Sequence, residues 1–192
     1  RAARGFRLEI IPAIEINGEE DGVDVHVLGY YLDPENLELQ QALVGLREGR
    51  RRRMDEILER LAELGLPVDR ERVLALAGGD SGGRPHVARA MVEAGHGKDI
   101  GAATEIYIGS GRPGVVPRRN LGPVEAIRLI AQAGGVPVLA HPGLIGDDSR
   151  IERLVAAGLR GIEAHYPQHP PLLRQHYVDL AARHGLLVTG GS

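Results

Sequence analysis

From residue 122 onward the chain alternates short apolar runs with amphipathic stretches, and this alternation constrains the fold more than any other feature. Val136–Ala140, Gly161–Ala164 and 186–189 read as short strands. Between them lie helical stretches: one that Pro123 starts and Gly134-Gly135 ends, one over 149–157 and one over 170–184. Strands that are apolar throughout and separated by helices are buried on both faces and pair in parallel through helical crossovers. The expected class is therefore α/β, as a barrel or an open sheet. Hydrophobic residues make up 43% of the chain but aromatics only 3%, so Leu, Val, Ile and Ala must build its core.

Upstream the rhythm differs. Residues 8–17 (LEIIPAIEIN) and 23–30 (VDVHVLGY) read as two strands, rich in Ile and Val and separated by an acidic turn containing Gly. Residues 36–64 read as a long helix, or two in series, stopped by Gly65 with Pro67 beyond. A second helical stretch covers 69–77, the tract Gly78–Gly83 is a loop, and Pro85 opens a helix over 85–94. Residues 99–119 are weakly patterned, with a turn at Gly109–Pro113. The helical block interrupts the strand–helix alternation and reads as an insertion.

Composition excludes several classes. A length of 192 residues suits one domain, or one domain carrying an insertion. A formal net charge of −3 gives no global case for nucleic-acid binding, so no double-stranded DNA partner is expected. The absence of cysteine rules out disulfides and thiolate metal sites, leaving His, Asp and Glu as ligands, and suits a reducing cytoplasm. No apolar run reaches the roughly 18 to 20 residues of a membrane span. The chain starts at Arg1 without methionine and stops at Gly190-Gly191-Ser192, directly after the apolar run 186–188, so it reads as a piece of a longer sequence.

Three residues stand where ligands would. In Ala13-Ile14-Glu15-Ile16-Asn17 the period of two puts Ile14 and Ile16 on one face and Glu15 on the other. In Val25-His26-Val27-Leu28 the valines take one face and His26 the opposite one. His141 ends the run Val138-Leu139-Ala140, before Pro142 and Gly143. Singly, a strand carboxylate usually faces solvent and a strand histidine is usually a satisfied structural residue. Together, at or near strand ends of an α/β fold, the three suggest a metal site.

Arginines form the second signal. The apolar stripe of the long helix runs Leu43, Leu46, Met54, Ile57, Leu61 and Leu64, and position 50, which should continue it, is arginine. Arg47, Arg50 and Arg53 follow at spacings of three along one side. A forked guanidinium in that position suits a phosphate, whereas a solvated basic face is the plainer reading. Arg84-Pro85-His86, opening a helix after a Gly-rich loop, could cradle an anion or simply cap the helix.

Several segments together resemble the PHP (polymerase and histidinol phosphatase) family, in particular its small bacterial phosphoesterases. They are Ile14-Glu15-Ile16, His26-Val27-Leu28-Gly29-Tyr30, Gly83–Arg89, Ala133–Pro142, Gly161-Ile162-Glu163, Tyr166-Pro167-Gln168-His169 and Thr189–Ser192. The resemblance covers essentially the whole chain in order. It implies a distorted (β/α)7 barrel built from 1–33 and 116–192, incomplete at both ends, with 34–115 as an inserted helical subdomain. It also implies two or three divalent ions, Mn, Zn or Fe, with Glu15, His26 and His141 matching metal ligands. Arg47, Arg50, Arg84 and His86 would bind the substrate phosphate. The implied reaction is metal-dependent hydrolysis of phosphate esters, on 3′,5′-nucleoside bisphosphates or short RNA 5′ ends, with the ions activating water.

The sequence departs from the family pattern in places. The first motif, His-x-His followed by an Asp and another His, would precede Arg1, and the last, Ser-Asp-x-His, would begin at Ser192. Without them, this 192-residue piece is expected to be inactive alone. His165 and Val115 stand where Tyr is usual. A small-metabolite phosphatase resembling histidinol phosphatase, and a catalytically inactive PHP scaffold, remain alternatives.

Overall fold

The computed structural model describes residues 9–79, 82–116 and 121–191. It divides into two compact units, 1–42 with 120–192 and 43–119. Ser192, and Asp80 and Ser81 of the Gly-rich tract, lie outside the described residues.

The first unit is built on one mixed sheet of five strands in sequence order: β1 (Ala13–Glu20), β2 (Val23–Tyr30), β3 (Val136–Leu139), β4 (Gly161–His165) and β5 (Leu187–Gly190). β1, β2 and β3 pair antiparallel, while β3, β4 and β5 run parallel. The expected α/β class is observed, as a sheet with β1 and β5 at its edges among the described residues. The N-terminal strand is shorter at its start and longer at its end than the pattern 8–17 predicts. Pro12 lacks an N–H for the ladder, so pairing starts at Ala13↔Tyr30. It then runs to Glu20↔Val23, closed by Asp21-Gly22, both at positive φ (53° and 77°). Two consecutive left-handed residues are what a tight type I′ hairpin demands, and Asp-Gly tolerates them.

Helix α5 (Pro123–Gln132) leads into β3, while α6 (Asp148–Ala156) and α7 (Pro171–His184) supply the parallel crossovers to β4 and β5. α5 packs on β1, β2 and β3, and α7 on β4 and β5. Ile16, Val25, Val27, Leu139 and Ile162 are buried. Pairing register puts Glu15, His26, Val138, Glu163 and Thr189 on the opposite face to these. The sheet therefore has one face of aliphatic side chains and one that carries acids and histidine.

The second unit is helical. It takes most of α1 (Leu37–Glu63), then α2 (Arg70–Ala77), α3 (Arg84–Glu93) and α4 (Ile100–Ala103), followed by a π-helical turn at Thr104–Ile108. This last pair of turns lies in the stretch the pattern left unassigned. Its core gathers Met54, Ile57 and Leu61 of α1 with Val73, Val87 and Met91. Leu64 is exposed, so the stripe expected to reach it stops at Leu61. Arg72 grips Glu93 through Nε and Nη2 at 2.6 and 3.2 Å, tying α2 to α3, and that hydrogen bond holds the Glu93 carboxyl below its ordinary pKa. Asp69 caps α2, its Oδ1 accepting from the Glu71 amide at 3.0 Å. Asp69→Ala is expected to cost about 1 kcal/mol, read as a lower urea midpoint for this unit; an unchanged midpoint would deny the cap any weight. Among the described residues no helix is long and apolar enough to cross a membrane.

Candidate metal centre

Three strands bring the predicted ligands together. Glu15 pairs with Leu28 and His26 with Asn17, so Glu15 and His26 are diagonal neighbours on one face, within reach of long side chains. His26 Nδ1 lies 2.7 Å from Glu15 Oε1. His141 Nε2 lies 3.1 Å from that same Nδ1 and 3.7 Å from Glu15 Oε1. One oxygen and two ring nitrogens thus converge within 4.8 Å of one another.

His141 reaches this face against the strand period. The Ala140 amide donates to the His26 carbonyl at 3.0 Å, so Ala140 takes the position beside His26, and strict alternation would turn His141 to the aliphatic face. Its backbone instead adopts φ 29°, ψ 58°, a left-handed conformation costly for a residue with Cβ. Glu163 holds that conformation: the His141 N–H donates to Glu163 Oε2 at 2.8 Å. Glu163 is only 5% exposed, and its carboxylate is pressed against Gly191, where a Cβ would collide with Oε1. A buried carboxylate in an apolar strand needs such a partner. The charge inside Gly161-Ile162-Glu163-Ala164 is the signal in the sequence for this role, although its amide partner is not visible there.

The donor set fits a small divalent cation. Tetrahedral coordination at about 2.0–2.1 Å puts neighbouring ligand atoms roughly 3.3–3.4 Å apart, within the range of the three separations observed. His26 Nδ1 stands between the carboxylate oxygen and the second imidazole nitrogen, and a cation among them would accept a lone pair from each of the three atoms. His26 Nε2, His141 Nδ1 and Thr189 Oγ1 are buried and have no hydrogen-bond partner among the described residues. Unengaged polar atoms around a ligand cluster are unusual in a finished core and expected where further ligands or ordered water belong. Hard carboxylate oxygen with borderline imidazole suits Mn, Zn or Fe.

The four residues expected to bind phosphate lie in the second unit. Arg47 and Arg50 are exposed on α1, a turn or more before the buried stretch that begins at Met54. Arg84 opens α3, and His86 caps it, its Nδ1 accepting from the Gly83 amide at 3.0 Å. Arg53, their neighbour, donates Nε to the Val116 carbonyl at 2.7 Å.

No family model matches the sequence. The chain is 32% identical over 193 residues to the 5′-3′ exoribonuclease Rnm of Salmonella typhimurium, a match covering 98% of this chain and 66% of that protein. Over 196 residues it is 32% identical to the 3′,5′-nucleoside bisphosphate phosphatase of Chromobacterium violaceum, covering 92% of this chain and 66% of that one. A solved structure from Bifidobacterium adolescentis, described as a metal-dependent phosphoesterase, matches with a TM-score of 0.84 and 31% identity, over 100% of this chain and 70% of the other. The chain spans 66% of the length of these two curated relatives.

Proposed function

The chain belongs to the metal-dependent phosphoesterase family of these relatives, and from that premise we propose that the protein hydrolyses phosphate esters of 3′,5′-nucleoside bisphosphates or of short RNA 5′ ends. The observation that carries the reading is the convergence of Glu15 Oε1, His26 Nδ1 and His141 Nε2 on one face of the sheet. We read the fold as PHP-type, a distorted (β/α)7 barrel of which β1–β5 are consecutive staves, interrupted by the helical insertion 34–115. The strand order and the helical crossovers between β3, β4 and β5 support it.

In this reading Glu15, His26 and His141 supply part of the ligand set for two or three divalent ions, the remaining ligands being those of the family's His-x-His and Ser-Asp-x-His motifs. When bound, such ions supply Lewis acidity at a phosphoryl oxygen and make water a stronger acid. The residues do the rest. Glu15 and two neutral imidazoles contribute one negative charge, which leaves a bound cation strongly electrophilic. Glu163, through the His141 amide, keeps that imidazole aimed at the other two ligands. Arg47, Arg50 and Arg84 supply the positive groups for substrate phosphates, guanidinium forks matching paired phosphoryl oxygens, and His86, whose Nδ1 is taken by the Gly83 amide, offers Nε2 as a further hydrogen-bonding atom.

The test is phosphate release from 3′-phosphoadenosine 5′-phosphate by the intact protein with Mn2+, beside histidinol phosphate and a simple aryl phosphate. The bisphosphate is expected to be preferred by about tenfold or more in kcat/KM, some 1.4 kcal/mol of extra phosphate binding in the transition state. Equal turnover of all three would favour a small-metabolite phosphatase. Less than one metal ion per chain together with no turnover would favour the scaffold.

A further inference from the structure

Tyr166-Pro167-Gln168-His169 has no part in the ligand set, yet His169 is the most deeply buried histidine beside it, at 3% exposure. Both of its ring nitrogens are used. Nδ1 lies 3.1 Å from the Ala164 carbonyl, which can only accept, so Nδ1 carries the proton. Nε2 is then bare, and it accepts from the Gly143 amide at 3.2 Å. That amide belongs to the turn Pro142–Leu144 directly after His141. His169 itself is anchored, its carbonyl accepting from Arg174 Nε at 2.8 Å and its amide donating to the Tyr166 carbonyl at 3.0 Å.

The contact is close. A Cβ added to Gly143 would sit 2.7 Å from His169 Nε2 and 2.8 Å from Leu173 Cδ2, so only glycine lets the turn press against the ring. A second route joins the same residues: the Tyr166 ring stands 5.5 Å from His141 and 5.2 Å from His169, centroid to centroid. An ordinary core histidine would bond any convenient backbone. This one takes an amide two residues from a ligand whose left-handed backbone leaves its aim dependent on the turn that follows.

We propose that His169 is a positioning residue of the metal centre: through the Gly143 amide and the Tyr166 ring it fixes the turn that aims His141 Nε2 at Glu15 and His26. The proposal rests on reading that cluster as a metal centre. Outer partners of this kind are typically worth 10- to 100-fold in metal affinity.

The experiment measures Mn2+ affinity calorimetrically, and the visible spectrum of the Co2+-loaded site, in the intact protein and four variants. His169→Phe keeps a ring but neither hydrogen bond. His169→Gln keeps one donor and one acceptor at the imidazole spacing. Gly143→Ala pushes the turn off the ring without touching His169, and His141→Ala is the control for the reading beneath. His169→Phe and Gly143→Ala, at temperatures where circular dichroism shows them folded, are expected to bind Mn2+ at least tenfold more weakly and to shift the Co2+ bands, with His169→Gln recovering most of the loss. If His169→Phe does not fold, Gly143→Ala and His169→Gln decide the question. Folded variants that bind Mn2+ as the parent does overturn the proposal, as does a glutamine variant as weak as phenylalanine, which would mean the ring only fills space. Should His141→Ala also leave affinity unchanged, the metal-centre reading itself fails; a normal loss there with intact binding in His169→Phe and Gly143→Ala sinks this proposal alone.

Discussion

His141→Ala is expected to lower metal-dependent phosphate release by the intact protein roughly a thousandfold, because several kcal/mol of transition-state stabilisation depend on the ions and each 1.36 kcal/mol is a factor of ten. Three donor atoms converge at the site, and removing Nε2 leaves one carboxylate and one imidazole, 2.7 Å apart, which become an ordinary hydrogen-bonded pair. The substitution leaves the backbone amide in place, so the bond to Glu163 survives and the fold has little reason to move. Alanine keeps the strain of φ 29°, and His141→Asn is the useful companion because Asn tolerates left-handed backbone without offering the imidazole. Both variants are expected to lose metal by elemental analysis and to lose activity together. Activity within tenfold of the parent, with metal content unchanged, would take His141 out of the centre.

How far the sequence could be read follows from what each signal depends on. β2, α1, α2, α5 and α7 were legible because caps, glycine stops and periodicity are local properties of the chain. Glu15 and His26 were placed on the right sides of their strands because the period of two is enforced by the pleat itself. His141 joins them only through a break in that period, and nothing local in Ala140-His141-Pro142 shows that a carboxylate far along the chain will take its amide. For the same reason Glu163 appeared as part of a motif but without a task, and His169 without its partner at Gly143. Arg50 lies in solvent as the solvated-face alternative has it: its spacing of seven from Leu43 and Ile57 continues the stripe, but the core of the second unit that α1 enters begins one turn later. The π-helical turn at Thr104–Ile108 left no sequence pattern because it is a single turn held by packing, not by propensity.

The proposed metal centre and the core are linked through β3, and Leu139→Ala measures the link. Leu139 is fully buried and pairs with Val27 on one side and Ile162 on the other, two residues before His141. Losing its side chain removes apolar surface and leaves a cavity in a rigid central strand, expected to cost about 2–5 kcal/mol. That is a large share of the 5–15 kcal/mol typical of a domain. In urea unfolding of the metal-free protein the midpoint should fall while the slope m stays constant, since the same surface is exposed. If the cluster is the proposed centre, Mn2+ binds it only in the folded state, and a hundredfold excess over its dissociation constant should restore about 2.7 kcal/mol. Most of the midpoint lost in Leu139→Ala should therefore return on adding Mn2+, whereas His141→Ala, with a weakened site, should show little return. If Mn2+ fails to raise the midpoint of the parent protein at all, Glu15, His26 and His141 are a hydrogen-bonded cluster of the folded state and not a site for a cation.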